Sequence, residues 1–176
     1  RVLFRSSTQL TGIPANDWNM QFRSAAYTSC LFRVGKNGAL HLTNISGATP
    51  YQGMAYGQPM IISEGDLQID GGHYRNMIDT FSPDKETRGA AILIDGGTAV
   101  INGGKYEGTA CGVAVRNDAQ LTVNHGYIGS SDTGLYIGGS ANAVINDGEF
   151  DRYETTSSSS KSQNCAVMME SSGDLT

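Results

Sequence analysis

Leu67-Gln68-Ile69-Asp70-Gly71-Gly72-His73-Tyr74 and Ala99-Val100-Ile101-Asn102-Gly103-Gly104-Lys105-Tyr106 are one phrase written twice. Each has two apolar residues one apart, then Asp or Asn, a glycine pair and an aromatic. The phrase returns as Leu121-Thr122-Val123-Asn124-His125-Gly126-Tyr127-Ile128 and as Ala143-Val144-Ile145-Asn146-Asp147-Gly148-Glu149-Phe150. Ile101 to Val123 and Val123 to Ile145 are 22 residues each, and Ile69 to Ile101 is 32. A period near 22 with strand-like content implies units that bury their apolar face only against their neighbours. The expected fold is all-β: a right-handed parallel β-helix, a solenoid of about six coils with a basic period of 22 residues. The hand follows from the preference of parallel crossovers.

Working outward, a second apolar run precedes each phrase. Val113-Ala114-Val115 stands before Leu121, Leu135-Tyr136-Ile137 before Ala143, and Ala91-Ile92-Leu93 before Ala99. Strand side chains alternate between faces. Val113, Val115, Leu121 and Val123 are therefore expected inside, with Ala114 and Thr122 outside. The inward columns read Leu42, Ile69, Ile101, Val123, Ile145 and Phe32, Ala91, Val113, Leu135, Val167, with Pro59 filling one slot. A third, aromatic corner holds Tyr74, Tyr106, Ile128 and Phe150. One outward column, Ile92, Ala114, Tyr136, Met168, is apolar enough to imply a cover or partner.

Composition agrees with all-β: 23 glycines in 176 residues and apolar runs bounded by Gly, Asn, Asp and Ser. A net charge of −5 argues against nucleic acid, whose phosphates need a basic face. No stretch is apolar enough to span a membrane. Arg1-Val2-Leu3-Phe4-Arg5-Ser6 reads like a translated sequencing adapter, so residues 1–6 are expected to pack and pair with nothing. Without Arg1 and Arg5 the balance is 10 − 17 = −7. Residues 7–29, with Trp18 and Phe22, are expected to form a strand, cap or cover, and residues 30–176 the β-helix. Asp174-Leu175-Thr176 repeats the start of Gln120-Leu121-Thr122 and stops, which suggests truncation.

The phrases Gly38-Ala39-Leu40-His41-Leu42-Thr43-Asn44-Ile45 and Arg88-Gly89-Ala90-Ala91-Ile92 resemble those of right-handed β-helix proteins of the bacterial surface and secreted type. The resemblance covers roughly residues 30 to 176. It implies an extracellular or cell-surface setting and an adhesin-like stalk or binding module within a larger protein. The same superfold carries pectate-lyase-like enzymes and phage tailspikes. A polysaccharide lyase or glycoside hydrolase, or a trimeric tailspike-like segment, is therefore the rival expectation.

Asp70, Asn102, Asn124 and Asn146 share one position. They tolerate left-handed geometry, and stacked amides bond from coil to coil. Cys30, Cys111 and Cys165 share an inward slot and are read as buried free thiols, too far apart for a disulfide. No metal spacing, cofactor motif or catalytic set converges. An ice-binding face is excluded because the outer column His41, Gln68, Val100, Thr122, Val144 is not a regular Thr row.

Two insertions follow the aromatic corner, one from Asn76 to Arg88 and one from Asp151 to Asn164. Insertions on one face of a solenoid are where binding surfaces collect. A groove between them is expected to have Glu107, Thr109, Ser130 and Asp132 as floor and Tyr153, Glu154, Asp79 and Lys85 at its walls, with Asp151 a further ligand-binding candidate. Such an acidic floor suits a neutral or cationic extracellular glycan, or a peptide, better than a polyuronate. Glu107 and Asp151, two coils apart, are the carboxylates a glycosidase reading would use.

Overall fold

The computed structural model describes residues 2–4, 7–11, 21–23, 30–48, 58–76, 87, 89–152 and 165–176. Among these there is no helix. The strands in chain order are β1 (Val2–Phe4), β2 (Ser7–Thr11), β3 (Gln21–Arg23), β4 (Phe32–Val34), β5 (Ala39–Thr43), β6 (Ser46–Ala48), β7 (Ile61–Ser63), β8 (Asp66–Arg75) and β9 (Ile92–Ile94). They continue as β10 (Thr98–Gly108), β11 (Cys111–Val115), β12 (Gln120–Val123), β13 (Tyr127–Ser130), β14 (Thr133–Gly139), β15 (Asn142–Ile145), β16 (Glu149–Arg152) and β17 (Cys165–Ser171).

Among the described residues every strand pairing is parallel, and each joins a strand to its counterpart in the neighbouring phrase. One sheet runs β1-β4-β7-β9-β11-β14-β17, and a second runs β15-β12-β10-β8-β5-β2. A third row branches from the second: β3 pairs β6, β6 pairs the far half of β8, and the far half of β10 pairs β13, which pairs β16. The phrases meet in register, Ala99 opposite Leu121 and Leu67, and Ile101 opposite Val123 and Ile69. Gln120 is 22 residues beyond its partner Thr98, and Asn142 is 22 beyond Gln120; Thr98 is 32 beyond Asp66.

β8 and β10 are long because each turns a corner. The register between them shifts at Ile101/Gly103 and again at Gly103/Lys105. Gly72 and Gly104 lie there with φ of 97° and 104°, the left-handed region that L side chains avoid. A Cβ on Gly72 would also run into the backbone of Ile45.

The interior is one apolar cluster. Its columns are Leu42, Ile69, Ile101 and Val123, with Ile145 half-buried at the end, and Tyr74, Tyr106 and Ile128, with Phe150 half-buried. The Tyr74 and Tyr106 rings stack at 5.4 Å with their planes 2° apart. Burial drives both phenol pKa values upward. The Tyr106 hydroxyl donates to Gly103 O, whereas that of Tyr74 has no partner among the described residues.

Three expectations change. First, Ile92, not Ala91, sits opposite Val113, and Leu93 opposite Ala114. The inward column is Phe32, Ile61, Ile92, Val113, Leu135, Val167, so Pro59 holds no slot in it. The cause is turn length. Ile94 to Ala99 is five residues where Val115 to Leu121 is six, because Gly96 and Gly97, at φ 124° and 69°, close the turn one residue sooner.

Second, Cys30 and Cys111 face the other way. They join Ile62, Ala90, Leu93, Ala114 and Tyr136 in a separate buried cluster on the outer side of the first sheet, with Met168 half-buried against it. Cys111 and Cys165 flank Thr133 in register, and all three cysteines are free. Burial pushes the Cys111 thiol pKa well up.

Third, β1 pairs with β4, Val2 opposite Phe32 and Phe4 opposite Val34, so the first residues do pair. Apolar Val2 and Phe4 thus stand in line with apolar Phe32 and Val34. β2 pairs β5 and β3 pairs β6, so parts of 7–29 are strands that extend the sheets; Trp18 lies outside the described residues.

Candidate functional site

Once the glycine corners have turned β8 and β10, their far halves continue in one row through β13 to β16. The interior takes Tyr74, Tyr106, Ile128 and Phe150, so alternation sends the residues between them outward. One outward row reads His73, Lys105, Tyr127, Glu149, and the next Arg75, Glu107, Gly129, Asp151. This is the face on which the sequence places a binding groove.

Glu107 is its centre, with only 12% of its side chain exposed. His73 Nε2 lies 2.5 Å from one carboxylate oxygen and Lys105 Nζ 3.0 Å from the other, with Arg75 Nε at 3.8 Å. Because a carboxylate only accepts, His73 carries its proton on Nε2. Burial alone would raise the Glu107 pKa. The hydrogen bonds and charges of His73 and Lys105 outweigh it and hold the group below its ordinary value of 4.5.

Lys105 also stands 5.0 Å from the centre of the Tyr127 ring, a cation–π distance. The Tyr127 ring lies across Gly129, in space a Cβ there would claim, and its hydroxyl donates to Asp151 Oδ2 at 3.1 Å. Arg75, Glu107, Lys105, Tyr127 and Asp151 thus form one connected strip across four strands.

The other expected groove residues divide. Thr109 is half-buried, and its carbonyl accepts from both the amide and the hydroxyl of Ser131. Ser130 is fully buried, donates to Ala110 O at 3.3 Å and accepts from Asp132 N at 3.1 Å. It is therefore no part of an open floor: its alternation follows inward-facing Ile128 across small Gly129, where the chain turns toward β14. Asp132 is half-buried, and its carbonyl accepts from Cys165 N. Tyr153, Glu154, Asp79 and Lys85 lie outside the described residues.

Two features of this face went unseen in the sequence. The acidic floor is neutralised around Glu107 by His73, Lys105 and Arg75, which reach across to it from neighbouring strands and from other positions in the phrase. The aromatic surface is Tyr127, visible only once its ring is known to fold onto Gly129. A Tyr-x-Gly pattern on a strand was the available signal, and Tyr136 over Gly138 repeats it on the first sheet.

Elsewhere outward amides form a row. Asn146 Nδ2 donates to Asn124 Oδ1 at 2.7 Å, Asn124 Nδ2 to Asn102 Oδ1 at 2.7 Å, and Asn102 Nδ2 to Asp70 Oδ1 at 2.6 Å. The expected amide stacking is present. The expected left-handed backbone is not: among non-glycine described residues only Asn44 and Asn117 have positive φ. The glycines that follow absorb the strain instead.

His41 bonds Asp70 as well, and Gln68 Nε2 lies 3.1 Å from each of its oxygens. Burial works to raise the Asp70 pKa, but the bonds from Asn102, Gln68 and His41 lower it below 3.8. Among the described residues no group of three or more His, Cys, Asp or Glu gathers to hold a metal.

Searched against family models, curated proteins and solved structures, the chain finds no match.

Proposed function

We propose that the chain winds as a right-handed parallel β-helix and serves as an extracellular stalk or binding module of a larger, adhesin-like bacterial surface protein. The in-register parallel pairing of successive phrases supports the winding, and crossover preference supports the hand. The observation that carries the functional reading is the amide row from Asp70 to Asn146. Outward polar side chains are spent on bonding one strand to the next, which builds a stiff rod.

Glu107 favours this reading over the hydrolase rival. A glycosidase acid needs a raised pKa and a free oxygen facing the substrate. Glu107 has a lowered pKa, and both of its oxygens are engaged. The strip around it is suited to holding a ligand against the Tyr127 ring rather than to proton transfer.

Antibodies raised against the chain test the setting. They are expected to label intact source cells, and labelling only after permeabilisation overturns the surface role. The purified chain is expected to release neither reducing ends nor unsaturated uronates from a polysaccharide panel. Turnover abolished by Glu107→Gln would establish the enzymatic alternative.

A further inference from the structure

On the second sheet, away from the Glu107 strip, a shallow groove of about 270 Å³ crosses β5, β8 and β10. Its origin is a single small residue. Ala39 stands in line with Asp66, Thr98, Gln120 and Asn142, and the hollow opens where the longer side chains are missing. Val100 contributes an apolar surface, and His41, Gln68, Asp66 and Thr98 line the rest.

The lining presents acceptors. Asp66 Oδ1 takes the Thr98 hydroxyl at 2.6 Å, and Oδ2 has no partner among the described residues. Gln68 gives its amide nitrogen to Asp70, so its carbonyl oxygen is left over. His41 meets the acceptor-only Asp70 through Nε2, so in the neutral imidazole Nδ1 is the acceptor. Asp66 is exposed, and no lysine or arginine is among the lining residues. Three acceptors, one of them anionic, beside an apolar surface call for a ligand rich in donors, positively charged and with one C–H face. The volume lies just under the range of about 300–1,000 Å³ for drug-sized ligands, the scale of a single sugar ring.

We propose that this groove is a subsite for a hexosamine unit carrying a free ammonium, as in a deacetylated aminoglycan. The ammonium pairs with Asp66, ring hydroxyls donate to Gln68 Oε1 and His41 Nδ1, and the C–H face rests on Val100. The groove itself stands whatever the chain is used for; only the supply of such a glycan rests on the extracellular setting proposed above.

Calorimetric titration of the purified chain at pH 7 with a glucosamine tetramer and its N-acetylated counterpart tests the subsite independently of cell labelling. The free amine form is expected to bind about tenfold more tightly than the acetylated one, and Asp66→Asn to weaken it by about tenfold, as loss of a charged hydrogen bond requires. Glu149→Gln, on the other face, is expected to leave binding unchanged. Shifts in the Gln68 side-chain amide and the Val100 methyls locate the ligand. Should Asp66→Asn melt early, Ala39→Leu decides: it fills the hollow with the carboxylate intact and is expected to abolish binding. No saturable binding by the wild type, equal affinity for the acetylated tetramer, or full binding by Ala39→Leu overturns the proposal.

Discussion

Asn124 both accepts from Asn146 and donates to Asn102, so replacing it removes two bonds from the outward row. It is exposed, and water compensates much of the loss. Asn124→Ala is expected to destabilise the chain by about 1 kcal/mol. Ile101→Ala, in the fully packed interior, is expected to cost about 2–5 kcal/mol because the cavity cannot collapse. Urea denaturation of both variants checks the ranking; an equal cost would mean the row bears as much load as the core. The row was legible in the sequence because Asp70, Asn102, Asn124 and Asn146 hold one place in the phrase. The strip around Glu107 was not. His73, Lys105 and Arg75 converge on it through long side chains, and nothing in linear spacing says which neighbour such a chain will reach.

At the scale of strands, the glycine corners decide whether β8 and β10 serve two rows or one. Gly72→Ala places a Cβ against Ile45 at a left-handed φ. It is expected to cost at least about 2 kcal/mol. The loss should appear in thermal melting and in shifts of His73 and Tyr74, with the first sheet unaffected. Strand identity and the inward faces of the second sheet were readable from alternation. The register of Ile92–Ile94 was misread because a constant interval between the two apolar runs was assumed. Turn length varies with the glycines available, and one residue more or less flips a strand's faces. Counting two residues back from Phe32, Val113 and Val167 puts the cysteines inside, yet Cys30 and Cys111 pack with Ile62, Ala114 and Tyr136 instead. Their true place, an outer cluster, still shelters them: a thiol reagent is expected to find Cys30 and Cys111 slow to react in the native chain and three thiols after denaturation. Fast native labelling of Cys111 would contradict its burial.

Over the whole molecule, each of the three histidines touches a carboxylate on a neighbouring strand or its flanking turn: His41–Asp70, His73–Glu107 and His125–Asp147. All three acids have lowered pKa values. For Asp147, which is fully exposed, the backbone amide of Gly148 is the main cause, with His125 next. An acid with a depressed folded pKa contributes stability that is present above its unfolded value and is lost as pH falls through the folded one. The unfolded values lie near 3.8 and 4.5. These acids therefore leave the melting temperature level between about pH 7 and 5 and lower it below about pH 4. Melting curves at pH 7, 5 and 3 check this. An unchanged Tm at pH 3 would remove these pairs from any role in stability. The all-β, parallel character followed from the period. The buried outer side of the first sheet was foreshadowed by its apolar column, but its extent was not, because what covers a face is set by tertiary contact rather than by alternation. The pairing of Val2–Phe4 was also missed, since resemblance to an adapter outweighed an apolar run that lines up with β4.

The amide row has a direction. Every Nδ2 points toward the amino-terminal end of the stack, and the last acceptor there is a carboxylate that cannot donate. Side-chain amides can usually be turned over without penalty, but here reversing one would set two donors or two acceptors face to face, and reversing all would aim an oxygen at Asp70. A single negative charge thus orients three dipoles in series, like a magnet aligning a line of compass needles. Neutralising it without changing its shape, as Asp70→Asn does, removes the reason for the alignment. The Nδ2 proton resonances of Asn102, Asn124 and Asn146 would then be expected to split between two orientations, while the backbone that carries them stays in place.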